Sequence, residues 1–252
     1  MVKDIIGKVI LNKNVGNNIF LLCLETEEVE EVYPGQFAML SIGDEYDPFL
    51  RRPMSIFKRD KNRYCFLYQV VGRGTHLLSK KRNEEEIKVL LPLGNSFPTL
   101  NKKEDVLVVG GGVGIAPLNF LVDYYKDQVN FYTFIGFSSF VSEEVYLDLK
   151  KYSREFVISS EDGSIGYKGK ILDFIPKDLN TFDKIISCGP SQMLKLLVKR
   201  VEDKDRVYLS LEERMGCGFG ICLSCAIKSK DKLLHVCKEG PVFCGTEVIW
   251  DE

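Results

Sequence analysis

"DVLVVGGGVGIAP", Asp105–Pro117, decides the fold. Its first half is a short, β-branched apolar run, the pattern of a strand buried on both faces of a parallel sheet. Glycines at 110, 111, 112 and 114 make a tight turn, and Pro117 suits the first turn of a helix, which runs to about Asp127. Downstream the alternation continues. "VNFYTFIGF", "EFVISS", "DKIISCGP" and "RVYLSL" read as strands, with helical stretches at Glu143–Lys150 and Ser191–Arg200 between them. Strands alternating with helices predict a doubly wound parallel α/β domain over residues 101–210.

Upstream the character differs. Ile5–Leu11, Asn18–Glu25, Gln36–Ile42, Met54–Lys58, Tyr64–Val71 and Ile87–Leu91 are short β-type runs separated by turn residues, including the Pro-Gly turn "YPGQ" at Tyr33–Gln36. Six close-spaced strands without a long helical pattern predict a small antiparallel six-stranded β-barrel over residues 1–100, with the boundary at Leu100–Glu104. After Leu211 a compact Cys/Gly segment, 211–252, is expected to extend neither pattern.

Composition excludes several classes. The 34 basic and 36 acidic residues leave a net charge of −2, and the densest basic stretch, Lys80–Arg82, runs into Glu84–Glu86, a solvated turn and no nucleic-acid patch. The longest uncharged run, Val106–Val122, is 17 residues with four glycines and a proline, which argues against a membrane span. The N-terminal "MVKDIIGKVILNKN" lacks the apolar core of a signal peptide. A cytoplasmic location with reduced thiols is therefore expected.

Four turns could carry chemistry. In "GGGVGIAP", Gly110–Pro117, glycines let backbone N–H groups approach a pyrophosphate at a helix N-terminus; no Gly-Lys-Ser/Thr follows, so it is not a Walker motif. "RRPMSIF", Arg51–Phe57, offers an Arg and a hydroxyl to a phosphate and a flavin edge. "VGRGTH", Val71–His76, has N–H groups and a hydroxyl that could bind phosphate, and "SCGP", Ser187–Pro190, ends a parallel strand where open sheets bind ligands. Each alone is equally an ordinary turn, or a strand beginning with proline.

The cysteines are more specific. Cys217, Cys222 and Cys225 have the spacing Cys-x4-Cys-x2-Cys, and Cys237 and Cys244 follow. With a distant fourth Cys this is the plant-type [2Fe–2S] arrangement. Gly216, Gly218 and Gly220 permit backbone N–H groups to face the sulfurs. Zinc usually takes paired Cys-x2-Cys knuckles, of which only Cys222/Cys225 is present. A Rieske centre needs two histidines, and the chain's two, His76 and His235, lie far apart in sequence. Zinc and free thiols remain the alternatives, as does Cys244 in place of Cys237. Cys23 and Cys65 read as barrel core.

The two halves together, "RRPMSIF" and "GRGT" followed by "GGGVGIAP" and "SCGP", resemble the ferredoxin–NADP reductase family over residues 1 to about 211. "GCGFGICLSCAI" and "HVCKEGPVF" narrow the likeness to the electron-transfer subunits of NAD-linked bacterial dihydroorotate dehydrogenases. That resemblance implies FAD in the barrel, with Arg52, Pro53, Met54 and Ser55 on its phosphates and ring edge. Leu67, Tyr68 and Gln69 would line the cofactor, and Gly74 and Thr75 would hold the pyrophosphate. It places NAD on Gly111, Gly112 and Gly114, with Cys188 and Gly189 near the nicotinamide and no certain acid–base residue. It makes Cys217, Cys222, Cys225 and Cys237 the cluster ligands. The implied partner is an FMN-containing dihydroorotate dehydrogenase catalytic subunit, two of each forming a heterotetramer. Two features depart from the pattern: Gln69 stands where many relatives carry Arg, which shifts phosphate pairing toward Arg73, and the loop between Cys225 and Cys237 is short.

A hydride carries two electrons and a [2Fe–2S] cluster passes one, so a flavin belongs between them. The expected relay is partner FMN, cluster, FAD, NAD. No Lys or Arg occurs from Gly136 to Asp148, after the second α/β strand, which favours NAD over NADP. The competing readings are a reductase that passes electrons to ferredoxin, alone or in another complex, and a zinc-stabilised binding module.

Overall fold

The computed structural model describes residues 2–27, 29–43 and 47–250. Seven elements form the first half: β1 (Lys3–Gly16), β2 (Ile19–Thr26), β3 (Phe37–Leu40), β4 (Arg52–Asp60), β5 (Arg63–Gln69), α1 (Arg73–Leu78) and β6 (Glu86–Leu93). The six strands close into an antiparallel barrel in the order β1-β2-β5-β4-β3-β6. Its interior is filled by alternate strand positions, among them Val9, Leu22, Leu40, Ile56, Phe66 and Val89. The one departure from the predicted elements is "GRGTH", which forms a helix. Thr75 Oγ1 accepts from the N–H groups of Val71 and Gly72, and this local cap starts α1 where glycine content suggested only a turn.

The second half contains β7 (Asp105–Gly111), α2 (Ile115–Tyr125), β8 (Asn130–Phe137), α3 (Leu147–Tyr152), β9 (Ser153–Ser160), β10 (Tyr167–Lys168), β11 (Lys184–Cys188), α4 (Ser191–Lys199) and β12 (Val207–Ser210). A short hairpin, β13 (Ala226–Lys228) with β14 (Leu233–His235), and β15 (Val242–Cys244) follow. The sheet order is β10-β9-β8-β7-β11-β12-β15. Its strands are parallel except β15, which pairs antiparallel with β12. The chain builds outward from β7 to one side and then returns to the other, so order reverses between β7 and β11. That reversal opens a crevice at the carboxyl ends of the strands.

Two expectations are corrected. The Cys-rich segment does extend a neighbouring pattern: through β15 it adds a strand to the sheet, satisfying the free edge of β12. Cys23 and Cys65, expected as reduced thiols, are directly opposed on β2 and β5 and joined by a disulfide. Among the described residues no helix is long and apolar enough to cross a membrane.

Barrel and sheet share a packed seam. Asn119 of α2 donates to the Phe57 carbonyl of β4 (3.2 Å), Ser142 N–H donates to Val15 O (2.7 Å), and Lys13 and Lys58 pair with Glu144 and Asp148. The Cys-rich segment is fastened to both. Phe37, Met39 and Leu93 of the barrel lie in one buried cluster with Leu209 of the sheet and Leu234, Val236, Cys237 and Phe243.

Candidate functional site

Three cavities meet along this seam. The first, about 300 Å³, lies between barrel and sheet; Arg52, Pro53, Met54, Ser55, Leu67, Tyr68, Gln69 and Thr75 all line it. β4 and β5 are antiparallel, so the start of β4, with Arg52–Ser55, lies beside the end of β5, with Leu67–Gln69. Gly74 makes room for the Arg52 guanidinium, which occupies the space a Cβ would need. Arg73 is instead paired with Asp47. The wall opposite the barrel is built by Val113, Ala116 and Pro241 together with Leu211, Glu212, Glu213 and Met215, four residues that no motif had marked.

The second cavity, about 590 Å³, lies over the crevice and is lined by Gly111, Gly112, Gly114 and Gly189, with Trp250 from the C-terminal segment. The two glycine turns are packed against each other. A Cβ on Gly114 would stand 2.7 Å from the Cys188 carbonyl, and one on Gly189 would stand 2.9 Å from Gly111 N. Gly112 differs: its φ of +56° lies in the left-handed region that favours glycine, and nothing lies within 4 Å of where a Cβ would point. Backbone N–H groups there can approach a pyrophosphate closely. Cys188 itself is fully buried, so that Gly189 and Pro190 rather than its thiol form the lining. Burial, and then the charge of Glu212, push the Cys188 pKa up. Glu212 is open to solvent through the cleft, yet enough surrounding protein displaces water to raise its carboxyl pKa above the ordinary range.

A third cavity, about 380 Å³, continues from Gly111 and Gly112 past the ends of β8 and β9. Gln69 lines all three cavities.

Past Met215 the chain wraps a set of sulfurs. Cys217 Sγ accepts from the N–H groups of Phe219, Ile221 and Cys222 at 3.3–3.5 Å, and Cys217 N–H donates to Cys222 Sγ at 3.3 Å. Cys225 and Cys237 form a second pair with sulfurs 3.3 Å apart, and Gly220 N–H donates to Cys237 Sγ at 3.1 Å. Gly218 and Gly220 have φ near +85°, and the loop can turn its amides inward only because they do. Burial opposes ionisation of Cys217, but its three N–H bonds outweigh it and lower the pKa. The Ser224 hydroxyl and neighbouring N–H groups lower Cys222 to about 6, whereas burial and then the Cys225 thiol push Cys237 up to about 12. Two sulfur pairs ringed by N–H donors are a donor set suited to two irons. Cys244 is elsewhere: its sulfur sits against Lys204 O and Thr246 Oγ1.

The iron–sulfur cluster binding domain of dihydroorotate dehydrogenase B matches residues 212–249. The chain is 42% identical over 253 residues, 99% of each chain, to the "dihydroorotate dehydrogenase B (NAD(+)), electron transfer subunit" of Clostridium acetobutylicum. It belongs to that family. The Geobacillus member is also 42% identical, over 96% of each chain. A chain of an NADH-dependent reduced ferredoxin–NADP oxidoreductase superposes with a TM-score of 0.83 at 25% identity, covering 97% of this chain and 90% of that one. Phthalate dioxygenase reductase shares the fold, with a TM-score of 0.66 at 15% identity over 82% of this chain and 67% of its own. The matched segment contains all five cysteines from Cys217 to Cys244, and of these Cys244 stands apart from the two sulfur pairs.

Proposed function

We propose that the chain is the electron-transfer subunit of an NAD-linked dihydroorotate dehydrogenase, active in pyrimidine biosynthesis in the cytoplasm. It holds FAD in the barrel-side cavity, NAD in the crevice, and a [2Fe–2S] cluster on Cys217, Cys222, Cys225 and Cys237. The observation that carries this reading is one of chain continuity. Leu211–Glu213 and Met215 wall the flavin cavity, and Cys217 follows two residues later. A single segment thus joins the flavin wall to the sulfur loop.

A flavin bound here exchanges a hydride with nicotinamide on one side and single electrons with a cluster on the other. The chain's own residues align and insulate. Arg52 and Ser55 supply charge and a hydroxyl to the flavin cavity, and Gly111, Gly112 and Gly114 let the dinucleotide approach from the opposite side. Glu212, Glu213 and Gln69 stand where the two cavities meet. Cys188 and Gly189 support the crevice floor at the nicotinamide end.

The partner is the FMN-containing catalytic subunit, in an assembly of two and two. On the sulfur loop Phe219, Ile221 and Leu223 are 48%, 74% and 57% exposed, an apolar rim suited to docking that subunit. Anaerobic co-expression with the FMN subunit tests the proposal. A stable complex with dihydroorotate-dependent NAD reduction is expected, and a chain that neither binds the subunit nor confers that activity would refute it. The likeness to the ferredoxin–NADP oxidoreductase chain supports a second reading, a subunit of another flavin-based complex. The same co-expression separates the two by which partner is retained.

A further inference from the structure

We infer that the Cys23–Cys65 disulfide is a thiol-responsive clasp: a thiol reductant opens it, and opening loosens the flavin cavity and the seam between barrel and sheet. In one respect this rests on the cluster reading. A chain that needs Cys217, Cys222, Cys225 and Cys237 as thiolates takes up iron where thiols stay reduced. In such a setting a disulfide persists as a redox-responsive element and not as a passive staple. The two cysteines are register partners on adjacent antiparallel strands. Pairing continues to both sides, so that Leu11 of β1, Cys23 of β2, Cys65 of β5 and Lys58 of β4 form one row across the barrel wall. Strand alternation turns the two cysteines outward, away from Leu22 and Phe66 in the barrel interior, and against the buried cluster that holds Val145 and Leu149 of the α/β half.

The row ends on a seam contact, the ion pair of Lys58 with Asp148 of α3. Leu21, the next outward residue of β2, is the register partner of Lys13, which pairs with Glu144. From Cys65 the strand β5 runs on to Leu67, Tyr68 and Gln69 of the flavin cavity, and β2 begins at Ile19, opposite Gln69 and lining the third cavity. The clasp thus fixes β2 against β5 just short of the positions that wall both cavities. Access to its sulfurs is unequal: Cys23 is buried and Cys65 half-buried. An incoming thiolate therefore attacks Cys65 Sγ. The S–S bond breaks, Cys23 leaves as a thiolate and takes a proton, and a mixed disulfide remains on Cys65. A second thiol attacks the reductant's sulfur, and Cys65 leaves and takes the second proton. Two electrons have passed to the protein, and the two reductant sulfurs depart joined. Closure reverses these steps with a small disulfide as the oxidant.

Holoprotein equilibrated anaerobically over a series of reduced-to-oxidised glutathione ratios tests this. Differential alkylation with mass-spectrometric mapping reads the Cys23–Cys65 pair, and flavin fluorescence after dilution reads the rate of flavin release. One reversible two-electron transition is expected, with the fully buried Cys188 a thiol throughout. The open form should release flavin about tenfold faster or more and unfold roughly 5–12 °C lower. The double variant Cys23→Ser, Cys65→Ser cannot close and should match the open form at every ratio; wild type held open by the reductant makes the same comparison without a substitution. A pair that stays bonded at the most reducing ratio, a pair that never bonds, or open and closed forms that release flavin equally fast would each overturn the inference. Iron is assayed alongside. A chain that holds none would refute the cluster reading alone, because the Cys23–Cys65 transition and the flavin release are read without iron.

Discussion

Asn95 and Val242 exchange two hydrogen bonds: Asn95 Nδ2 donates to Val242 O at 2.8 Å, and Val242 N–H donates to Asn95 Oδ1 at 2.9 Å. The same amide also donates to Glu239 O, and Asn95 N–H bonds Gly240 O at 2.7 Å. One side chain just past β6 thus holds the returning segment on which both β15 and the Cys237 loop depend. Asn95→Ala should destabilise the chain by about 2–4 kcal/mol, because it strands buried partners as well as removing bonds. For a chain of this size that lowers Tm by roughly 5–12 °C. Thermal unfolding and iron content measured together check it, with both expected to fall.

Gly114 and Gly112 should respond differently to alanine. At Gly114 the new Cβ meets backbone at Cys188, which cannot give way, so the crevice floor must shift. NADH affinity should fall about tenfold or more while bound flavin is retained. At Gly112 the space is open and only the left-handed backbone objects, at about 1–2 kcal/mol. Flavin content and KM for NADH distinguish the two outcomes.

In cluster-free protein the four thiols proposed as ligands should differ in reactivity. Cys222 is exposed with a pKa of about 6, so it should be alkylated first, with a rate that rises with pH and is half-maximal near 6. Cys237, buried and shifted to about 12, and Cys188, also buried, should resist across the neutral range. Mass-spectrometric mapping after brief iodoacetamide treatment between pH 5 and 9 reads this order.

Cys244→Ser should leave iron content and the visible spectrum unchanged, since its sulfur rests on the Lys204 carbonyl. Cys237→Ser should lose the cluster. Iron and sulfide analysis of the two variants resolves the choice that spacing alone left open.

The barrel and the α/β sheet were legible because their strands are apolar runs bounded by turn residues, and the Cys-x4-Cys-x2-Cys spacing is itself the geometry of the loop. What sequence could not show is what the third dimension brings together. β15 is three residues, "VFC", too short to signal a strand until it lies beside β12. Thr75 turns a glycine-rich stretch into a helix through a cap that depends on backbone positions. Cys23 and Cys65 are 42 residues apart and meet only through the β2–β5 register. Gln69, expected to line one cofactor, stands at the junction of three cavities, and Glu212, between two, carries no motif that would single it out. Asn17 belongs to a barrel turn, and nothing in its neighbourhood of sequence marks it as a wall of the third cavity.

The central claim is that nicotinamide, flavin and cluster are electronically joined within this chain. Anaerobic titration of the holoprotein with NADH, followed by visible absorbance and low-temperature EPR, tests it most directly. The account predicts bleaching of the flavin band together with the rhombic signal of a reduced [2Fe–2S] centre, both abolished by Gly114→Val. A flavin that bleaches with NADH while a fully loaded cluster, of a potential within reach of NADH, stays oxidised would contradict it.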